Sequence, residues 1–257
     1  MIEIQHLVKR FGSLAAVNDV SLTVGAGEIF GFLGPNGAGK TTTLRIMAGL
    51  LLPTAGRVRI AGYDVVQEPE AAKAVLGFIP DRPFLYEKLT AWEYLEFVAG
   101  LHGLSRADLQ TRASELLRFF GLGDWQDELI EAFSHGMKQR LVLAAALLHR
   151  PRVLIVDEPM VGLDPRGARL LKELFKGLRS RGVTVFLSTH SLEVAEEMCD
   201  RIAIIQEGRL IAQGTVPELR AQARAHDARL EAVFLRLTGG EDVAGALRLL
   251  EEEGWIR

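Results

Sequence analysis

The chain has 257 residues, 48% of them hydrophobic and 25% charged, and its 30 Lys and Arg against 33 Asp and Glu give a formal net charge of −3. That profile fits a folded protein with a sizeable core and argues against a general polyanion binder. A lone cysteine, Cys199, excludes disulfide scaffolds and cysteine-built metal sites, and the lack of a long apolar run or of a basic, apolar leader at Met1-Ile2-Glu3-Ile4 makes a cytoplasmic protein the expectation.

Residues 2–11 and 20–24 alternate apolar and polar positions in places, as strands with one covered face do. Residues 28–33 form an apolar strand that runs into a glycine-rich turn, and residues 41–50 read as a helix stopped near Pro53. Short strands are expected at 57–61 and 75–79. From 90 to 149 the period changes: Trp92, Leu95, Val98 and Leu101 recur at helical spacing, as do Leu109, Leu116, Leu117 and Phe120. This stretch is predicted to be a helical insertion. Residues 153–156 are wholly apolar, the pattern of a strand buried on both faces. Helix 167–178, strand 183–187 and helix 192–199 follow. Strands at 202–205 and 209–212 flank Glu207-Gly208, a two-residue hairpin turn. The tail from 215 is mostly helical and charged. Strands alternating with helices predict an α/β fold around a mostly parallel sheet.

The strongest local signal is Gly34-Pro35-Asn36-Gly37-Ala38-Gly39-Lys40-Thr41, which fits G-x-x-x-x-G-K-[ST] between a strand and a helix. Glycines let the backbone wrap closely, so that its amides form an anion nest at a helix N-terminus. Lys40 adds a positive charge for the outer phosphates of a nucleoside triphosphate, and Thr41 offers a hydroxyl to Mg²⁺. A chance match in such a chain is on the order of one in a hundred. Downstream, the strand 153–156 ends in Asp157-Glu158. Adjacent side chains on a strand point apart. Asp157 is the candidate to hold Mg²⁺ through its water shell, and Glu158 to polarise the attacking water. His190 follows another apolar strand in Ser188-Thr189-His190-Ser191, where α/β sheets bind ligands, and can donate to a γ-phosphate oxygen.

These residues, in this order, resemble the ATP-binding subunits of ABC transporters over about residues 1–215. Phe11, in Lys9-Arg10-Phe11-Gly12, matches the aromatic that stacks on adenine; a core aromatic is the competing reading. Gly34 to Thr42 match the Walker A segment, and Asp157 with Glu158 Walker B. Phe133-Ser134-His135-Gly136-Met137-Lys138-Gln139-Arg140 matches the family signature, Gly162-Leu163-Asp164-Pro165 the D-loop, and His190 the switch histidine. The resemblance implies a P-loop NTPase fold with an antiparallel β subdomain and a helical subdomain, about 83–150, inserted into the ATPase domain. It leaves 216–257 as a helical C-terminal extension.

The resemblance further implies a head-to-tail dimer with a second ATPase subunit. ATP on one phosphate loop is then closed over by Ser134 and Gly136 of the other chain, and Asp164 also lies near the nucleotide. His135 and Met137 replace a Gly and the Gln of the usual signature. Asp81 stands where the family usually has Gln, so it either faces the metal through water or only shapes its loop; its alignment with the metal-facing position makes it a candidate for Mg²⁺ beside Thr41 and Asp157. Pro83, Phe84, Leu85 and Tyr86 either present a docking surface to an integral membrane permease or pack inside the insertion. Residues 230–239 and the form of the signature look like ATPases paired with ABC-2-type exporter permeases. Such a subunit sits peripherally on the cytoplasmic face of the membrane. The alternative, a soluble ABC ATPase acting on nucleic acid or a protein assembly, usually carries two cassettes or long coiled coils. This chain has neither, and no basic stripe, so no nucleic acid is expected as a partner.

Overall fold

The structure is a computed structural model that describes residues 1–82, 84–160, 164–225 and 228–239. Pro83 of the expected docking segment, Gly162 of the expected D-loop turn and the acidic run Glu251-Glu252-Glu253 lie outside the described residues.

The chain opens with a hairpin of β1 (Ile2–Phe11) and β2 (Leu14–Val24). The second strand is longer than its clean alternation predicted, because its register on β1 shifts between Ile4 and Leu7 and again up to Arg10. Such bulges break the period of two along a continuous strand. Then come β3 (Ile29–Leu33) and α1 (Lys40–Met47). This helix ends earlier than expected. Gly49 takes a left-handed φ of 65°, and Leu50 N–H donates to Arg45 O at 2.8 Å in a Schellman-type close.

Next are β4 (Ala55–Ile60), β5 (Tyr63–Asp64), α2 (Pro69–Ala74) and β6 (Leu76–Ile79). Among the described residues, three α-helices stand between β6 and the next strand of the large sheet, with two short 3₁₀ turns before the third. The α-helices are α3 (Ala91–Leu101), started by a Thr90–Glu93 capping box, α4 (Arg106–Phe119) and α5 (His135–Leu147). After them run β7 (Val153–Asp157), α6 (Pro165–Ser180), β8 (Thr184–Thr189), α7 (Leu192–Met198), β9 (Arg201–Gln206), β10 (Arg209–Gly214), α8 (Val216–Gln222) and α9 (Leu230–Thr238).

Two sheets result. The antiparallel one has the order β2-β1-β4-β5, and the larger one β10-β9-β3-β8-β7-β6. All neighbours in the larger sheet are parallel except the β9–β10 hairpin. Glu207 and Gly208, both at positive φ, make that hairpin's turn as its sequence predicted. The alternation of side chains along β7 and β8 splits the interior into two layers. Val153, Ile155 and Phe186 pack toward the antiparallel sheet and α1, while Leu154, Val156, Val185 and Leu187 pack toward the helices of 91–147 and α6. Phe186 stacks on Phe30 and lies tilted to Phe32, each with ring centroids 5.5 Å away. Truncating such a ring costs about 3–5 kcal/mol. A third cluster binds α8 and α9 to the sheet edge through Ile202, Leu219, Leu230 and Val233. Cys199 closes α7 against Gly31, and burial pushes its thiol up to about 12, so it carries no thiolate chemistry near neutral pH.

Candidate functional site

Because β3, β7 and β8 run parallel, their C-terminal ends gather at one edge of the sheet. The glycine-rich loop leaves β3, the carboxylate pair leaves β7, and the Ser188-Thr189-His190 segment leaves β8. The topology thus brings the glycine-rich loop together with two motifs that lie more than a hundred residues further along the sequence, at the edge where α/β sheets bind ligands.

A cavity of about 380 Å³ opens over the loop. Pro35, Asn36, Gly37, Gly39, Lys40, Thr41 and Thr42 line it on one side, and Phe11, Asp81 and Glu158 reach it from three other segments. Phe11 is 49% exposed, so it is a wall of this cavity and not a core aromatic. Lys9 Nζ sits 5.1 Å from its ring centroid.

The glycines divide their work in a way their spacing does not show. A Cβ on Gly34 would stand 2.3 Å from Ile205 O, and one on Gly39 2.3 Å from Ala16 O. These two are needed so that β9 and β2 can approach the loop. Gly39 also has φ 102° and Gly37 φ 79°, conformations that side chains oppose, although Gly37 has open space around it. Ala38 is buried beneath the loop, and its carbonyl accepts from Gly208 N–H at 3.0 Å, which ties the loop to the β9–β10 turn.

Lys40 is 6% exposed, and its Nζ donates to Gly34 O at 2.6 Å and Pro35 O at 3.2 Å. Its ammonium lies 3.8 Å from Glu158 Oε1. Burial lowers its pKa, and the opposing charges of Glu158 and Asp157 work against that shift. Asp157 is buried at the end of β7 and accepts from Ser188 Oγ across the register pair Asp157–Ser188. Ser188 therefore belongs to the site, and only its place at a strand end beside His190 signalled it.

Glu158 turns away at φ 49°, a strained left-handed conformation for a non-glycine residue, held by its N–H donating to Ser188 O at 3.0 Å. Both of its carboxylate oxygens meet His190: Nδ1 at 2.9 Å and the backbone N–H at 3.4 Å. Glu158 and His190 are thus one unit, where the sequence offered two separate candidates.

Ser134, Gly136 and Asp164 do not reach this cavity. Ser134 is the exposed N-cap of α5, its Oγ accepting from Met137 N–H at 3.3 Å. Gly136 lies in the first turn with nothing within 4 Å of an added Cβ. Asp164 caps α6, its Oδ1 accepting from Gly167 N–H at 2.8 Å. Nearby, Phe84 is 82% exposed while Leu85 is buried. Leu85 therefore packs inside, and Phe84 does not. A second cavity, about 540 Å³, opens beside Phe84, Pro80 and Leu50.

Residues 17–161 match the ABC transporter family. The chain is 40% identical over 252 residues to the daunorubicin/doxorubicin resistance ATP-binding protein DrrA of Streptomyces peucetius, covering 98% of this chain and 75% of the relative. It is 41% identical to the Nod factor export ATP-binding protein I of Paraburkholderia xenovorans (strain LB400), over 86% of this chain and 72% of that one. A solved ATP-binding subunit of an ABC transporter aligns with TM-score 0.88 and 36% identity, covering 92% of this chain and 99% of its own. A dimeric ATP-binding cassette, MJ0796, in a post-hydrolysis state bound to ADP and Pi, aligns with TM-score 0.77 and 26% identity, covering 84% of this chain and 99% of its own. The chain belongs to the ABC transporter family and has the fold of its ATP-binding cassettes.

Proposed function

We propose that this chain is the ATP-hydrolysing subunit of an exporter, working as a dimer beneath a membrane permease. The observation that carries the reading is the single cavity that joins Phe11, the phosphate loop, Asp81 and Glu158. Its walls match a purine base, a triphosphate and a lytic water in sequence. Phe11 stacks on the base. The backbone N–H groups of residues 36–41, at the N-terminus of α1, receive the phosphates, with Lys40 supplying charge at the throat of the loop. The export assignment draws on the Nod factor relative, and the pairing of chains on the dimeric cassette.

The oxygen donors here suit Mg²⁺: the Thr41 hydroxyl, the Asp157 carboxylate and the Asp81 carboxylate. Among the described residues no cluster of three His, Cys, Asp or Glu could hold a metal unaided. That fits an ion that completes its shell with phosphate oxygens and water. When bound, Mg²⁺ supplies neutralisation of charge on the outer phosphates.

Glu158 accepts the proton of a water that attacks the γ-phosphorus, and the bond to the β-phosphate oxygen breaks to leave ADP and phosphate. His190 fixes the Glu158 carboxylate through its Nδ1–H, and with both ring nitrogens carrying protons its Nε2–H donates to a γ-phosphate oxygen. Ser134 and the first-turn amides of α5 face solvent and have the donors of a helix N-terminus. Supplied by a partner chain, they close the γ-phosphate side, so ATP joins the dimer and hydrolysis releases it. Among the described residues no helix is long and apolar enough to cross a membrane, so a permease supplies the pathway. Exposed Phe84 and its neighbouring cavity are the docking surface for it.

Glu158→Gln tests the reading. The variant is expected to bind ATP, to hydrolyse it at least about 100-fold more slowly, and to accumulate as an ATP-bound dimer in sedimentation runs. A monomer in saturating MgATP with full turnover would sink the role given to Glu158.

A further inference from the structure

At the opposite end of the parallel sheet lies a groove of about 670 Å³ that the ATPase reading does not use. Pro151 and Val183, which stand just before β7 and β8, reach it, whereas the nucleotide cavity lies beyond the other ends of these strands. One wall is α4, with Leu116 and Phe119. The other is the C-terminal half of α6, with Leu174 and Leu178. The groove therefore spans the boundary between the inserted helices and the sheet core.

Its floor and its rim differ in chemistry. Leu116, Leu174, Leu178 and Val183 pack against the core with one side and stay partly exposed on the other, and Phe119 is 49% exposed beside them. This is a contiguous apolar strip, not scattered single residues. Three arginines edge it, against one carboxylate, Glu115. Arg112 is occupied: its NH2 pairs with Asp108 at 2.7 Å and its NH1 donates to Leu148 O. The other two are not. The side chain of exposed Arg181 has no ion pair or hydrogen-bond partner among the described residues, and the guanidinium of Arg150 is coupled to Asp108 only through space. Arg150 is held at φ 56°, so its guanidinium is presented from a fixed turn at the end of α5.

An apolar floor with two unengaged guanidiniums at its edge selects a ligand with both features. An inorganic anion would leave the leucines wet. A neutral hydrocarbon would leave the arginines unused. A cationic amphiphile would meet repulsion at the rim. The volume falls in the range of small-molecule sites, about 300–1,000 Å³, and guanidinium is the side chain best shaped to fork onto a carboxylate or a phosphate. We propose that this groove binds a free, single-chain amphiphile with an anionic head, its chain over Leu116, Leu174 and Leu178 and its head between Arg150 and Arg181. The site is independent of the nucleotide cavity and stands or falls apart from the exporter reading.

The test is a fluorescence titration of the full chain with dansyl-undecanoate below its micellar concentration. Saturable binding with one site per chain is expected, displaced by decanoate and not by decyltrimethylammonium or inorganic phosphate at the same concentration. Arg150→Glu with Arg181→Glu is expected to weaken the probe by about tenfold, and Leu174→Gln to weaken it independently. Both variants should keep wild-type MgATP turnover and a single cooperative melting transition, which shows that they fold. Non-saturable binding, equal displacement by the cationic amphiphile, or an unchanged affinity in the double arginine variant would overturn the proposal.

Discussion

The phosphate loop and the start of α5 both present free amides at a helix N-terminus, yet their glycines answer to different demands. In the loop, a Cβ on Gly39 would collide with Ala16 O at 2.3 Å, and φ there is 102°. In the signature segment, a Cβ on Gly136 meets nothing within 4 Å. The first glycine is required by this chain's own packing. The second meets no such constraint among the described residues, which leaves open space above its turn. On the proposed reading, the loop is one half of the site and the signature is the half offered to a second copy or a relative.

The largest expected effect comes from Gly39→Ala. Backbone strain and the collision together should cost about 2–4 kcal/mol and remove nucleotide binding. Gly136→Ala should break the symmetry between the two regions. Thermal melting is expected to stay level or rise, nucleotide binding to a single chain to persist, and steady-state ATP turnover to fall by about tenfold or more. Wild-type turnover in Gly136→Ala would mean that nothing closes on that turn.

A smaller effect is expected at Asp81, which shares the cavity with Thr41 and Glu158. Asp81→Ala should raise the Mg²⁺ concentration needed for half-maximal turnover by several-fold, on the order of 1 kcal/mol. Unchanged turnover at limiting Mg²⁺ would assign Asp81 to loop shape alone.

The last effect touches neither half-site and leaves turnover near neutral pH unchanged. His149 stacks on His102 with ring centroids 3.8 Å apart, and its Nε2 faces Leu76 O at 3.1 Å. Burial, followed by the His102 charge, depresses its pKa from 6.5 to about 4. A histidine with a depressed folded pKa takes up its proton later than the unfolded chain does. Stability from this pair is therefore full above about pH 6.5 and falls as the pH drops toward 4. With partial exposure discounted, the loss is about 1–2 kcal/mol. Denaturant melts of His149→Gln should show a flatter acid limb than wild type, while turnover near neutral pH is unaffected.

Where function depends on a contiguous pattern, the sequence was readable. The loop, the carboxylates after an apolar strand and the Glu207-Gly208 turn depend on local backbone chemistry, and the structure places them as their residues predicted. Other features depend on neighbours distant in sequence. The six-residue α2 has no apolar period long enough to detect, and β1 with β2 hide their length behind bulges. Phe84 and Leu85 are alike by composition, yet one faces solvent and the other the core. The left-handed turn at Glu158 and its joint grip on His190 arise only because β7 and β8 end side by side. Ser134 and Gly136 were legible as a motif, but one chain shows only their openness.

The central claim is that each complete site takes its loop from one chain and its signature from another. Mixing two inactive variants tests it most directly. Lys40→Ala disables the loop and keeps the signature, while Ser134→Arg keeps the loop and blocks the signature. Each alone should be silent. In an equal mixture half of the dimers are mixed, and each of these retains one intact site, so turnover should recover to about a quarter of wild type. A mixture that stays silent at every ratio, with both variants folded and dimerising, would contradict the account.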